Sequence, residues 1–440
     1  MTARAHNGNV APEARAAACA EEGASSFRAK PRPAGGAAAG LRARAHRAAC
    51  VVVAAVVAFT CAFSLVGCGS STTSQQSGAA QQASSNPTDF HNTDIGTGWP
   101  VERSLDLQYA TQFTVDYFDG GYKLVCLADG TRYLVVPEGG DVPANLSSDI
   151  VVLKQPLQNI YLAASDSMCL FDALDAVDTI RVSGIKRDDW HVQAACDAMD
   201  DGRIVYGGKY NTPDYDLLLR ENVGLAVEST MINHSPDVRD KLNDLGIPVF
   251  TERSSYEESP LGRTEWVKLY GALLNKEDLA DQLFDEQKAQ VDAVGTAQAD
   301  TSVAFFYINS NGAAVVRKPG DYVSQMIAIA GGSYVFDSLA DDSTARSTVT
   351  MEMEKFYTEA KDADIIIYNA TIDGGVSSID ELVAKNSLLA NFKAVREGNV
   401  WTTDQDMYQQ MMNTGAIISD LHEAITNPDA DQLTYLRKLR

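Results

Sequence analysis

Two series of short apolar runs alternating with helix-length segments, separated by one stretch almost free of helix breakers, constrain this chain more than any other feature. After Pro156, Asn159 to Ala164 reads as a buried strand, Asp166 to Ala176 as a helix and Thr179 to Ile185 as a second strand. Trp190 to Met199 follows as a helix, Val223 to Val227 as a strand, Pro236 to Leu245 as a helix and Ile247 to Glu252 as a strand. The rhythm restarts with a strand at Ser302 to Ile308, helices at Tyr322 to Ala330 and Met351 to Ala360, and a strand at Ile365 to Asn369. It ends with a strand at Trp401 to Asp404 and a helix at Tyr408 to Ile425. Alternation of this kind builds a mostly parallel sheet with helices on both faces, so two α/β lobes are expected. Between the series, Lys276 to Ala297 places Leu279, Leu283, Phe284, Val291 and Val294 at helical spacings, with Asn275 as an N-cap. About 20 helical residues reach about 30 Å, enough to cross from lobe to lobe. The expected architecture is two Rossmann-like lobes joined by a single long α-helix.

Ahead of the lobes, the β-rich runs from Phe113 to Val136 are punctuated by Asp119, Gly120 and Gly121 and by Asp129 and Gly130, the signature of an N-terminal antiparallel β-meander. No short-period repeat occurs, which excludes solenoids. The expected boundaries are a signal segment at 1–67, a tether at 68–90, an N-terminal lobe with the meander at 91–264, a linker at 265–298 and a C-terminal lobe at 299–440.

The apolar stretch Ala49 to Gly67 follows Arg42, Arg44 and Arg47 and ends in Leu65, Val66, Gly67 and Cys68. Such a stretch can also serve as a retained signal anchor. Small residues before a cysteine favour cleavage and lipidation at Cys68, as in bacterial lipoproteins. The Ser/Gln/Gly/Ala run from Gly69 to about Ser85 buries too little apolar area to fold and reads as a flexible spacer. The chain is thus expected on the extracytoplasmic face of the cell membrane, held by lipid.

Residues 1–67 hold eight Lys or Arg against three Glu, so a chain of net charge −23 leaves a mature body at −28. That charge argues against nucleic acid and against adhesion to anionic lipid. Of seven cysteines, Cys126, Cys169 and Cys196 follow Cys68. Two readings stand for them: a bridge between Cys169 and Cys196, or three buried thiols. No CxxC or HExxH occurs, and His91, His191, His234 and His422 are scattered, so neither a resident metal nor another cofactor is called for.

The segment YGGKYNTPDYDLLLRENVGLAVESTMINHSPDVRDKLNDLGIPVFTERSSY, Tyr206 to Tyr256, continues into EESPLGRTEWVKLYGALL. Later stretches are VVRKPGDYVSQMIAIAGGSYVF, MEMEKFYTEAKDADIIIYNATI and FKAVREGNVWTT. Over about residues 100 to 427 the chain resembles the extracytoplasmic substrate-binding proteins of ABC importers for ferric siderophores and cobalamin. The resemblance implies two lobes on one long helix with a ligand cleft between them, and an ABC permease dimer as partner.

Ligands of α/β lobes collect at the carboxyl ends of parallel strands. On that rule Lys209, Tyr210, Glu228, Arg253, Tyr256 and Arg263 belong to one rim of the cleft, and Arg317, Lys318, Tyr322 and Asn369 to the other. A local cationic cluster on an acidic body suits an anionic metal chelate. The plain alternatives are solvated loop charges, with Arg263 paired to Glu265 or Glu257, and rim packing for Tyr210 and Tyr256. In the resembling family an acidic residue on each lobe engages permease arginines. These positions fall on Asp216, where the family usually has Glu, and on Glu354. The dipole of a helix N-terminus is the other account of both. The function expected is capture of an iron chelate of the siderophore type, with cobalamin or haem as alternatives. No catalytic constellation is visible, because the adjacent pairs Asp188–Asp189 and Glu257–Glu258 do not face one another usefully. An enzyme or a sensor on the same fold is the remoter reading.

Overall fold

Parallel strands buried on both faces read as unbroken apolar runs, and the first lobe is built from such runs. Its sheet has the order Val249–Glu252, Leu225–Ser229, Ile160–Leu162, Ile180–Ser183, Val205–Tyr206, parallel throughout. The computed structural model describes residues 90–295, 300–339 and 347–440. The signal segment, Cys68, the tether up to residue 89 and Ala297 lie outside the described residues. Among the described residues no helix is long and apolar enough to cross a membrane.

The N-terminal sheet keeps the meander. Phe113–Phe118, Tyr122–Leu127 and Arg132–Val136 pair antiparallel, with Gly120 and Gly121 at φ 76° and 84° in the first turn. Two strands extend it beyond expectation: Arg103–Ser104 antiparallel on one edge and Ile150–Lys154 parallel on the other. The second lobe has the order Thr348–Met351, Ala314–Arg317, Ser302–Ile308, Ile365–Tyr368, Val400–Thr403, Leu436–Lys438, with Ser333–Tyr334 beside 302–308. Only its centre is parallel. The strands 314–317, 348–351 and 436–438 each pair antiparallel with the neighbour on their inner side, and 436–438 follows 400–403 in the chain, so 400–403 is not the last strand. The expected helix at 408–425 opens instead with two 3-10 turns, Met407–Gln409 and Met411–Asn413. The α-helix proper is Thr414–Thr426.

The junction departs from a single connector. Helix Pro260–Leu274 begins with Ser259 accepting from the Gly262 amide and Pro260 in its first turn, and Asn275 at φ 56° closes it. Asn275 therefore ends one helix rather than capping the next. Helix Glu277–Val294 then turns back along it: a Cβ on Gly271 would lie 2.6 Å from the Ala280 Cβ, and Lys268 reaches Asp281 at 3.7 Å. Glycine at 271 permits that approach. The 277–294 helix starts against the N-terminal sheet, where Lys123 meets Glu277 at 2.6 Å. It reaches the second lobe where the Gly415 amide donates to Gln287 at 3.0 Å.

Residues 260–273 of the first helix are all buried, because every face has a neighbour. Trp266 meets Phe113 of the N-terminal sheet edge-on at 5.0 Å, Tyr270 meets Phe171 of the first lobe at 5.2 Å, and Thr264 Oγ1 donates to Thr414 of the second lobe at 2.9 Å. Buried carboxylates anchor the chain before the meander. Glu265 accepts the amides of Gln108, Tyr109 and Ala110, and Glu257 those of Thr111 and Gln112. Hence neither pairs with Arg263. Cys126, Cys169 and Cys196 are free and buried, so the bridge reading gives way to three thiols. Burial pushes the Cys169 thiol up to about 12.

Candidate functional site

Arg263 extends from the wedged helix towards the place where the two lobes meet. Its residue is only 7 % exposed, and its guanidinium lies 3.9 Å from the ring centroid of Tyr322, the first residue of helix Tyr322–Ile329 in the second lobe. Its Nη2 stands 3.6 Å from Asp166 Oδ2, beyond hydrogen-bond length. Among the described residues the Arg263 side chain makes no hydrogen bond, so its fork of donors meets only an aromatic face and one distant carboxylate.

The opposite wall belongs to the second lobe. Arg317 ends strand 314–317, where its amide donates to Tyr334 Oη at 2.9 Å and that hydroxyl donates back to the Arg317 carbonyl. The backbone is thereby fixed at the strand end. The side-chain Nη1 donates to Asp321 at 3.3 Å and to Ser347 at 3.2 Å. Its guanidinium lies 4.9 Å from the Tyr408 ring centroid and 5.9 Å from that of Tyr322. Asn369, buried just beyond strand 365–368, donates through Nδ2 to Tyr408 Oη at 2.7 Å. Cations and rings therefore alternate as Arg263, Tyr322, Arg317, Tyr408. Burial raises the Tyr322 hydroxyl above its ordinary range, against the opposing pull of Arg263 and Arg317.

Behind Arg263 lies an acidic layer. Asp166 Oδ2 accepts from Ser254 Oγ at 3.3 Å, and Glu252 Oε1 accepts from the Ser254 amide at 2.7 Å. Glu252 is buried, and among the described residues its Oε2 has no hydrogen-bond partner. Burial, then the charge of Asp166, lifts the Glu252 carboxyl well above its usual range. Asp166 lies 3.6 Å from Arg263, and Asp321 lies 3.3 Å from Arg317.

Four of the ten expected ligand residues, Arg263, Arg317, Tyr322 and Asn369, thus come together. Lys318 is adjacent and buried, with its amide donating to Ser347 O. The other five do not join them. Arg253 turns to Asp129 of the meander, 3.3 Å away, and lies over the exposed Tyr256 ring at 4.8 Å. Lys209 and Tyr210 sit on the hairpin formed by Gly208–Lys209 and Thr212–Pro213, with Lys209 exposed and Tyr210 packed against the first-lobe core. Glu228 is fully buried near the end of strand 225–229, and among the described residues neither of its carboxylate oxygens finds a partner. Burial pushes it up to about 8.

Asp166, Glu252, Asp321 and Tyr408 were missed. Asp166 follows the first parallel strand, so the strand-end rule could have found it. Tyr408 was assigned to a helix, where its position in a 3-10 turn was invisible. The void at the junction is small, about 20 Å³, and is lined by Arg263, Tyr322, Met326, Met407, Tyr408 and Met411 among others. Residues Asp404–Asp406 of the same segment border a separate hollow of about 550 Å³.

The expected permease contacts are both exposed in first helical turns, Asp216 in Tyr215–Arg220 and Glu354 in Met353–Ala360. Among the described residues no group of three or more His, Cys, Asp or Glu is arranged to hold a metal ion.

Known proteins share this layout. A periplasmic binding protein from Veillonella parvula superposes with a TM-score of 0.52 at 14% identity, covering 66% of this chain and 98% of that one. A periplasmic heme binding protein from Pseudomonas aeruginosa gives 0.50 at 16% identity, over 64% and 98%. In sequence, an uncharacterized lipoprotein of Methanocaldococcus jannaschii is 25% identical over 370 residues, 77% of this chain and 87% of that relative. The periplasmic binding protein profile matches residues 188–407, half of the chain. This chain therefore belongs to the periplasmic binding protein family.

Proposed function

We propose that this protein is a lipid-anchored extracytoplasmic receptor that captures an anionic metal chelate, an iron complex of the siderophore type, between its lobes and hands it to an ABC importer. One observation carries the reading: a buried guanidinium at the lobe junction that makes no hydrogen bond among the described residues. A buried fork of donors without acceptors is costly, and a carboxylate, catecholate or phosphate oxygen of a ligand would satisfy it bidentately. Arg317 and Lys318 supply positive charge from the other lobe, and Asn369 a neutral amide. Because the junction void holds little more than a water, entry requires the lobes or the Tyr408 segment to move.

Lipidation at Cys68 keeps the body near the membrane. Asp216 on the first lobe and Glu354 on the second offer one carboxylate each to a permease dimer. A second reading, haem or a corrinoid, is favoured by the apolar rim. Tyr206, Met231 and Tyr256 are exposed at or just beyond first-lobe strand ends, and Ile372 just beyond a second-lobe strand. Such side chains suit the face of a tetrapyrrole. Calorimetric titration of the lipid-free mature protein with ferric catecholate, ferric citrate, haemin and cyanocobalamin tests both. Saturable 1:1 binding of a ferric chelate supports the first reading and exclusive binding of a tetrapyrrole the second. Binding of none overturns both.

A further inference from the structure

The hollow of about 550 Å³ is a different place from the arginine junction. Its floor is the carboxyl end of strand 400–403, one wall is the loop after strand 365–368, and the opposite wall is the C-terminal hairpin carrying Gln432, Thr434 and Arg437. From the first lobe only His191 reaches it, held where its amide donates to Gln409 Oε1 at 2.9 Å. The hairpin lies beyond residues 188–407, so one wall of this hollow stands outside the segment that the family profile matches, while Asp404, Asp406 and His191 stand within it.

Its charges are unmatched. Asp404 has no ion pair or side-chain hydrogen bond among the described residues, although Asp406 is close enough for its charge, together with burial, to raise the Asp404 carboxyl. Asp406 accepts from Gln410 Nε2 through Oδ2 at 2.8 Å, but among the described residues its buried Oδ1 has no hydrogen-bond partner. Two neighbouring carboxylates without a cation repel one another and favour a bound ammonium. On the other wall, the Arg437 side chain has, among the described residues, only one long hydrogen bond, from Nη2 to Val376 O at 3.5 Å. It lies near enough to lower the Asp404 carboxyl, yet no ion pair within 4.0 Å joins them. Acid and base thus stand apart across one hollow, each lacking the partner that the other would provide.

We propose that this hollow is a second binding site, for a small zwitterion of the α-amino acid type, with its ammonium between Asp404 and Asp406 and its carboxylate on Arg437. A volume of this size lies within the range of small-molecule pockets, about 300–1,000 Å³, and exceeds what one amino acid fills. The neutral donors and acceptors of Thr434, Gln432 and His191 remain for its side chain. This inference is independent of the chelate reading, since it shares none of the proposed chelate contacts.

The test is a thermal-shift screen of the mature protein against the free L-amino acids, followed by calorimetry on the strongest. The expected result is saturable 1:1 binding by at least one of them. The N-acetylated and the decarboxylated forms of that amino acid should each bind at least tenfold more weakly. Asp404→Asn and Arg437→Gln should each weaken binding by about tenfold or more, and both are exposed substitutions that leave the unliganded melting midpoint in place. If no amino acid binds, if either derivative binds as well as its parent, or if both variants bind normally, the site does not exist as described.

Discussion

The guanidinium of Arg263 lies 3.9 Å from the ring centroid of Tyr322, and this contact joins the helix wedged between the lobes to the first helix of the second lobe. A desolvated cation–π contact is worth about 2 kcal/mol. Tyr322→Phe should keep it and cost less than about 0.5 kcal/mol, whereas Tyr322→Leu should cost about 2 kcal/mol in urea unfolding. Equal losses in the two variants would place the stabilisation in the hydroxyl instead.

Tyr408 occupies two groups proposed to hold ligand, Arg317 through its ring and Asn369 through its hydroxyl. It should therefore compete with a chelate. Tyr408→Ala is expected to raise chelate affinity several-fold, since a closed, self-occupied site lowers apparent affinity by the fraction that is competent. Calorimetry on the variant checks this, and weaker binding would mean that Tyr408 is itself a ligand contact.

Glu228 gives a signed pH dependence. Its carboxyl rises from an ordinary value of 4.5 to about 8 through burial, so the folded protein retains a proton that the unfolded chain has released. With more protons bound in the native state, stability is full below about pH 4.5 and falls as pH rises towards 8. Glu228→Gln should remove that slope, amounting to a few kcal/mol. Urea unfolding at pH 5 and pH 8 measures it.

Glu265 holds three backbone amides ahead of the meander at 2.8 to 2.9 Å and lies 3.2 Å from Lys268. Removing the carboxylate strands those donors and takes one partner from the buried Lys268 ammonium, which keeps Asp281 and the Asp106 carbonyl. Glu265→Ala is expected to cost about 3–5 kcal/mol. Thermal unfolding of the variant checks the loss.

Docking is tested by charge reversal. Glu354→Lys should abolish uptake of a labelled chelate while leaving affinity in solution unchanged. Normal uptake in that variant would remove Glu354 from the permease contact.

Much of this layout was legible because burial on both faces leaves a clear trace in sequence. Ser302–Ile308 was read to the residue, and the strands at 160–162, 225–229 and 365–368 to within about two, since each is a nearly unbroken apolar run. The junction was not legible. Pro260–Leu274 has no polar face, because four different neighbours surround it, so helical periodicity carried no signal there. Asn275 suits either end of a helix, and only its left-handed φ of 56° shows that it closes one. At the site, Asn369 stands just beyond a parallel strand, as the strand-end rule has it, whereas Arg317 ends an antiparallel strand and Arg263 and Tyr322 lie in the first turns of helices. Arg253 failed because Asp129, distant in sequence, draws it away to the meander. Glu228 lies at a strand end, but nothing local indicated that its carboxylate would be sealed without a partner.

The most direct test is the affinity of a ferric chelate for Arg263→Gln and Arg317→Gln beside the parent protein, measured by calorimetry in one buffer. Loss of a charge-assisted contact in each variant predicts at least tenfold weaker binding, with the fold intact by circular dichroism. Parental affinity in both would show that the ligand does not lie between the lobes.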